Sequence, residues 1–206
     1  MTNYKSIIVD NPYEKVSRIT LNRPEKRNSL SAKLRTELFE VLESNDKDPD
    51  ISVTIIRGSG KAFSAGYDLT KDMDELDPYY TAGGLGHWPR HVVEGCFKIW
   101  DLAKPVIAQV HGYCLAGGTE LAQSCDLIYV SDDAAIGYPV VRNISPPDNQ
   151  FYPWIVGMRK SMELMLTGNS MSGKEAVECG FANASFSKDK LEEEVLKVAI
   201  NVAGVP

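Results

Sequence analysis

Apolar and polar positions along the 206-residue chain change period several times, and each change marks an element. Ser6 to Val9 (SIIV) and Val16 to Leu21 (VSRITL) read as the strands of a hairpin turning at Asn11-Pro12, the second strand with alternating apolar residues. The punctuated stretch NRPEKRNSLS follows, with Pro24 and Asn28 in it and Ser31 at its end, a residue type that caps helices. A helix is predicted over Ala32 to Asn45, because Leu34, Leu38, Val41 and Leu42 recur at helical spacing. Its mixed charges make a solvated face. ISVTIIRG is β-branched densely enough to be a mostly buried strand. It ends in Gly58-Ser59-Gly60, and KAFSAGYDL then brings a strand and turn around Ala65, Gly66 and Tyr67, with Asp68 placed to cap a short helix.

Residues 70 to 90 break this regularity: acidic first, then two tyrosines, three glycines and a tryptophan. Such a segment suits a loop covering a pocket, with Tyr79, Tyr80 and Trp88 as apolar wall, or equally a surface insertion without catalytic consequence. A helical pattern returns from His91 to Lys104, carrying Val92, Cys96, Ile99 and Trp100. The strand PVIAQV leads through a glycine-rich turn into a helix over Gly118 to Gln123, then the strand DLIYVS and a short strand and turn, AAIGYP. Strand, helix and strand joined by a glycine-rich connection make a βα repeat, so the chain is expected to be α/β. Val140 to Gly157 is proline-rich and then aromatic. Three helices are predicted in SMELMLTG, SGKEAVECG and KDKLEEEVLKVAINVA, with Ser172 and Ser187 as caps. A single domain is expected over 1–206, its core over 1–185 and the start of a C-terminal helical region over 186–206.

Composition narrows the function. With 43% hydrophobic and 24% charged residues the chain reads as an ordinary globular protein. A net charge of -6 argues against nucleic acid as a partner, since phosphates call for a basic face. No run approaches the roughly 18 apolar residues of a membrane span, and MTNYKSIIVDN has no apolar signal core, so a soluble, cytoplasmic protein is expected. Cys96, Cys114, Cys125 and Cys179 lack a C-x-x-C pair and read as small buried residues in a reducing compartment. His87, His91 and His111 have no ligand company, and no metal is expected.

The chemistry concentrates in VHGYCLAGGTELAQSCD, Val110 to Asp126. Gly117 and Gly118 open a helix with Glu120 on its first turn. The first N–H groups of a helix have no intrahelical partner, so a glycine-lined start can receive developing negative charge, and a carboxylate beside it can move a proton. The simpler alternative is that the glycines permit close packing and Glu120 offsets the helix dipole.

KAFSAGYDL and HGYCLAGGTELAQSCDLIYV together resemble the crotonase superfamily, the enoyl-CoA hydratase/isomerase family. ITLNRPEKRNSLS, VTIIRGSGKAFSAGYDL and MLTGNSMSGKEAVECGFAN add to the resemblance, which runs roughly from Val16 to the end. It implies a spiral of ββα units with C-terminal helices, assembled as homotrimers or dimers of trimers. It also implies an acyl-CoA substrate whose thioester oxygen lies between two backbone N–H groups while an enolate forms. By position those donors are Tyr67 and Gly117, and Glu120 matches the first catalytic glutamate. The coenzyme A arm is expected along Lys26, Arg27, Lys61, Ala62, Ala65, Gly66 and Asp68. No separate cofactor is implied; coenzyme A arrives with the substrate.

The sequence departs from the family pattern in two places. The second hydratase glutamate falls on Val140, in Gly137-Tyr138-Pro139-Val140, and Asp148, eight residues on, aligns with a catalytic aspartate of some members or else caps a turn. Family members also continue into further helices over the active site, so the C-terminal helical part is expected to be shortened here. The resemblance therefore implies an enoyl-CoA hydratase/isomerase-type enzyme. Its alternatives are a superfamily hydrolase, a carbon–carbon bond-cleaving enzyme, or a non-catalytic acyl-CoA-binding homologue, which Val140 favours. An RNA-binding role would want a lysine-rich helix, which Ala32 to Asn45 is not.

Overall fold

The computed structural model describes residues 4–70, 95–143 and 149–205. Strands β1 (Ile7–Tyr13) and β2 (Val16–Leu21) form the hairpin. Its turn lies at Glu14-Lys15, not at Asn11-Pro12, and Lys15 takes the positive φ of 60° that closes it. Pro12 stays within β1 because β1 is an edge strand with a register shift between Asp10 and Tyr13, where a missing N–H donor costs little. Helix α1 (Ala32–Lys47) follows, two residues longer than predicted. The Ser31 side chain accepts from Leu34 N at 3.2 Å and caps it as expected.

Two sheets are then built in alternation. β3 (Val53–Gly58), β5 (Val106–Val110), β7 (Leu127–Ser131) and β10 (Ala184–Phe186) extend the hairpin into a six-stranded sheet in the order β1-β2-β3-β5-β7-β10, parallel after the first pair. The short strands β4 (Ala62–Ser64), β6 (Tyr113–Leu115), β8 (Ala135–Gly137) and β9 (Ser170–Met171) form a second sheet in that order. β3, β5 and β7 thus each hand the chain to a short strand in the other sheet. After β4 the described chain resumes in helix α2 (residues 95–100); β6 runs directly into α3 (Gly117–Gln123). This is the expected spiral of ββα units. β6 and β10 were not legible in the sequence, being three residues each and defined by their partners rather than by a local pattern.

α4 (Tyr152–Ile155), α5 (Gly157–Thr167), α6 (Gly173–Glu178) and α7 (Lys188–Ala203) complete the described chain. Ser172 and Glu175 form a full capping box on α6, whereas Ser187 stands at the start of α7 without a side-chain cap. The main core lies inside the spiral, where Leu34, Leu38, Ile56, Phe63, Val110 and Ile136 meet. α7 covers the other face of the large sheet with Leu191, Val195 and Ala199 on Val53, Ile55 and Ile107. Cys96, Cys114 and Cys125 are buried and Cys179 is half-buried; all four are free thiols. Among the described residues no helix is long and apolar enough to cross a membrane.

Candidate active site

The second sheet brings distant turns of the chain together. Asn28, fully buried at the end of the Pro24 turn, donates from Nδ2 to the carbonyls of Ser59 (2.9 Å) and Ala62 (2.7 Å), while its Oδ1 accepts from Arg23 N. Ser64 Oγ donates to Asn28 O at 2.9 Å and accepts from Gly66 N at 3.2 Å, and Leu30 N donates to Gly66 O at 2.8 Å. The loop after β4 is therefore clamped on both sides immediately before Tyr67. Gly66 has φ 99°, and a Cβ there would fall 3.0 Å from Leu115 O and 3.1 Å from Gly117 N. Glycine is required by both conformation and space, and the close approach sets Tyr67 beside Gly117 although fifty residues separate them in the chain.

Gly117 is the first residue of α3, preceded by Ala116 at φ 49°, ψ −123°, a conformation L-residues rarely adopt. The strained residue is held through both backbone groups: its N–H donates to Gly137 O (3.0 Å), and its carbonyl accepts from Thr119 N (2.8 Å) and Thr119 Oγ1 (2.7 Å). One turn further in, Glu120 is 2% exposed. Its Oε2 accepts from Tyr67 OH at 3.0 Å and its Oε1 from Tyr138 OH at 3.3 Å. The Tyr67 ring lies across Gly117, and the Arg35 guanidinium from α1 sits 5.3 Å from the ring centroid. Burial, and next the Glu120 carboxylate, push the Tyr67 phenol well above the ordinary tyrosine range, so it is a donor at any ordinary pH. Beyond the ring a small, mostly apolar hollow is lined by Leu30, Arg35, Leu38, Tyr67, Ile99 and Gly117, among others.

The remaining predicted residues divide. Lys26, Arg27 and Lys61 are exposed on one edge near this loop; Ala65 N donates to Arg27 O (3.0 Å), and the Arg27 guanidinium stands 5.6 Å from the Tyr113 ring centroid. Ala62 is buried in β4. Asp68 is turned inward: its carboxylate pairs with Arg23 at 2.8 Å and accepts from Thr70 N. Burial alone would raise its pKa, but Thr70 and Arg23 hold it down at about 2. That use of the side chain fastens the loop rather than offering a ligand. Val140 packs on the core, on a 3-10 turn, Pro139–Arg142. Asp148, Tyr79, Tyr80, Trp88, His87 and His91 lie outside the described residues.

Tyr138, Arg35, Asn28 and the Tyr67 side chain are the site features that sequence reasoning missed. Tyr138 sits two residues before Val140, in the very turn where the second carboxylate was sought.

Comparison with known proteins places the chain in a family. Residues 11–205 match the enoyl-CoA hydratase/isomerase family. A probable enoyl-CoA hydratase of Rhizobium meliloti (strain 1021) is 37% identical over 206 residues, covering 98% of this chain and 76% of the relative. A peroxisomal Delta(3,5)-Delta(2,4)-dienoyl-CoA isomerase of Arabidopsis thaliana is 34% identical over 217 residues, covering 99% and 78%. Among solved structures, the enoyl-CoA hydratase subunit I of Geobacillus kaustophilus HTA426 superposes with a TM-score of 0.86 at 32% identity, covering all of this chain and 78% of that one.

Proposed function

The chain belongs to the enoyl-CoA hydratase/isomerase family and acts on CoA thioesters, and from that premise we propose that it forms a thioester enolate with Glu120 as general acid/base. The Tyr67 and Gly117 N–H groups receive the thioester oxygen. Glu120 removes a proton from the carbon beside the carbonyl, or from one conjugated with it, and the electron pair moves onto the oxygen as the enolate. Return of the proton to another carbon shifts the double bond. The observation that carries this reading is a buried carboxylate, Glu120, one helical turn from the point where Gly66 and Gly117 meet.

Val140 weighs on the reaction type. Hydration asks two carboxylates to orient one water, whereas a proton shift needs one well-placed base, so double-bond isomerisation ranks ahead of hydration in this reading. Both chemistries occur by name among the relatives. The coenzyme A arm is assigned to the exposed edge of Lys26, Arg27 and Lys61, where cations can meet its phosphates. The test is deuterium incorporation at the α-carbon of enoyl-, dienoyl- and 3-oxoacyl-CoA thioesters in D2O. Exchange with one class supports the reading. Binding without exchange in any class overturns it in favour of a non-catalytic acyl-CoA-binding protein.

Self-association is part of the same proposal. Met158, Met162 and Leu166 follow one another at i, i+4 and i+8 on α5, with Trp154 on α4 before them; their exposures are 61%, 44%, 65% and 86%. A row of exposed apolar side chains of this kind supports contact with further copies. Light scattering at micromolar concentration should give three or six times the chain mass, and a monomer throughout would remove this part.

A further inference from the structure

The turn that carries Val140 in place of a carboxylate carries a phenol two residues earlier, and that phenol reaches Glu120. Tyr138 precedes the 3-10 turn after β8, is 4% exposed, and donates to Glu120 Oε1 at 3.3 Å. Tyr67, from the loop after β4, donates to Oε2 at 3.0 Å. Glu120 itself follows β6, the strand between those two in the second sheet. Three successive short strands thus deliver one carboxylate and two O–H donors to one point, each donor on a different oxygen.

We infer that Tyr67 and Tyr138 are positioning residues for Glu120, a pair of phenols that fixes the carboxylate in place and in its ionised form where the family pattern has a second carboxylate. This rests on Glu120 being the base. An ionised carboxylate offers about four lone-pair sites, so two phenols can hold it and still leave it able to accept a proton. A buried carboxylate without such donors would turn about its last torsion and lose aim. Tyr138 is buried and Tyr67 half-buried, so little solvent competes for these bonds.

Among the described residues, the other groups facing the site do not duplicate the arrangement. The Arg35 guanidinium of α1 lies over the Tyr67 ring, and its charge favours the carboxylate from across that ring. Cys96 of α2 is a buried thiol whose pKa burial raises, and Tyr152 of α4 is a buried phenol raised likewise, so both are neutral around pH 7. Tyr67 also joins two parts of the site: its backbone belongs to the oxyanion loop and its side chain to the base. A shift of that loop therefore moves both.

The test compares Tyr67→Phe and Tyr138→Phe with the parent protein; each keeps the ring and loses one donor. Donors to the ionised form lower a carboxyl pKa, so losing one should move the acidic limb of kcat/KM for α-proton exchange upward by about one pH unit. kcat should fall by up to about 100-fold through misalignment, with KM within about twofold. A second readout does not depend on turnover: the side-chain carboxyl of Glu120 is followed by 13C NMR in protein labelled at glutamate, its signal identified by its loss in Glu120→Gln. Its titration should move upward in either variant. Parent-like pH profiles and an unmoved titration in both variants would overturn the inference. If the parent exchanges no thioester, the assignment of Glu120 as base fails, while the NMR titration still decides whether the phenols hold its carboxylate. Far-UV circular dichroism identifies a variant that has not folded, and the other then carries the test.

Discussion

Glu120→Gln should slow α-proton exchange of a CoA thioester by about 10²- to 10⁴-fold, the range that a positioned general base contributes. The substitution preserves the shape of a side chain that is 2% exposed, so the helix start and the turn at Gly66 keep their packing. It removes the function: an amide does not take up a proton at neutral pH. The carbonyl of Gln can still accept from one phenol, but its NH2 group accepts nothing, so the other phenol must turn its O–H away from this side chain and receive instead. A modest loss of stability is therefore expected together with the loss of rate. Thioester binding separates the two effects. Affinity within a few-fold of the parent, measured calorimetrically, combined with lost exchange, identifies Glu120 as the base. Unchanged exchange would leave Glu120 a helix-terminus charge and nothing more.

Local signals carried much of the fold in the sequence. Ser31 lies where a cap is needed, Leu34, Leu38, Val41 and Leu42 line one face of α1, and all four are buried. Gly117 and Glu120 share one short motif, so their relation is a matter of helix geometry and could be read directly. What could not be read was tertiary. Tyr67 OH meets a carboxylate 53 positions along the chain and Tyr138 OH the same carboxylate from 18 positions away, and a tyrosine's amphipathic side chain leaves no periodic trace of such a partner. Asp68, placed by the resemblance along the coenzyme A arm, has its carboxylate engaged by Arg23 and Thr70, a partnership with no periodic trace either. Pro12 misled for a physical reason as well, because turn chemistry and edge-strand tolerance look alike until the strand order is known. Asn28, read as turn punctuation, is the pin between the Pro24 turn and the 59–62 turn.

Gly117→Ala should lower kcat for the same exchange by about 10²- to 10³-fold, the loss associated with one misplaced oxyanion donor, or roughly 3–4 kcal/mol. The cause is space rather than backbone freedom, since Gly117 is not among the residues with positive φ. A Cβ there would fall 2.5 Å from Tyr67 Cε2 and 2.6 Å from Tyr67 Cδ2, well inside the roughly 3.5–4.0 Å at which carbons rest against each other. Either the ring or the start of α3 must move by about an ångström, and both movements damage the site. Moving the helix start displaces the Gly117 N–H. Moving the ring pulls Tyr67 OH from Glu120 and drags the residue whose own N–H is the other proposed donor. Stability should fall much less, because alanine is favoured over glycine within a helix by about 1 kcal/mol and offsets part of the clash. The ring's share is measurable on a Tyr67→Ala background, where the added methyl meets space that the ring has vacated. There the Gly117→Ala step should cost less than about tenfold, a coupling expected of residues in direct contact. An equal cost in both backgrounds would take the ring out of the explanation and leave the helix start alone responsible.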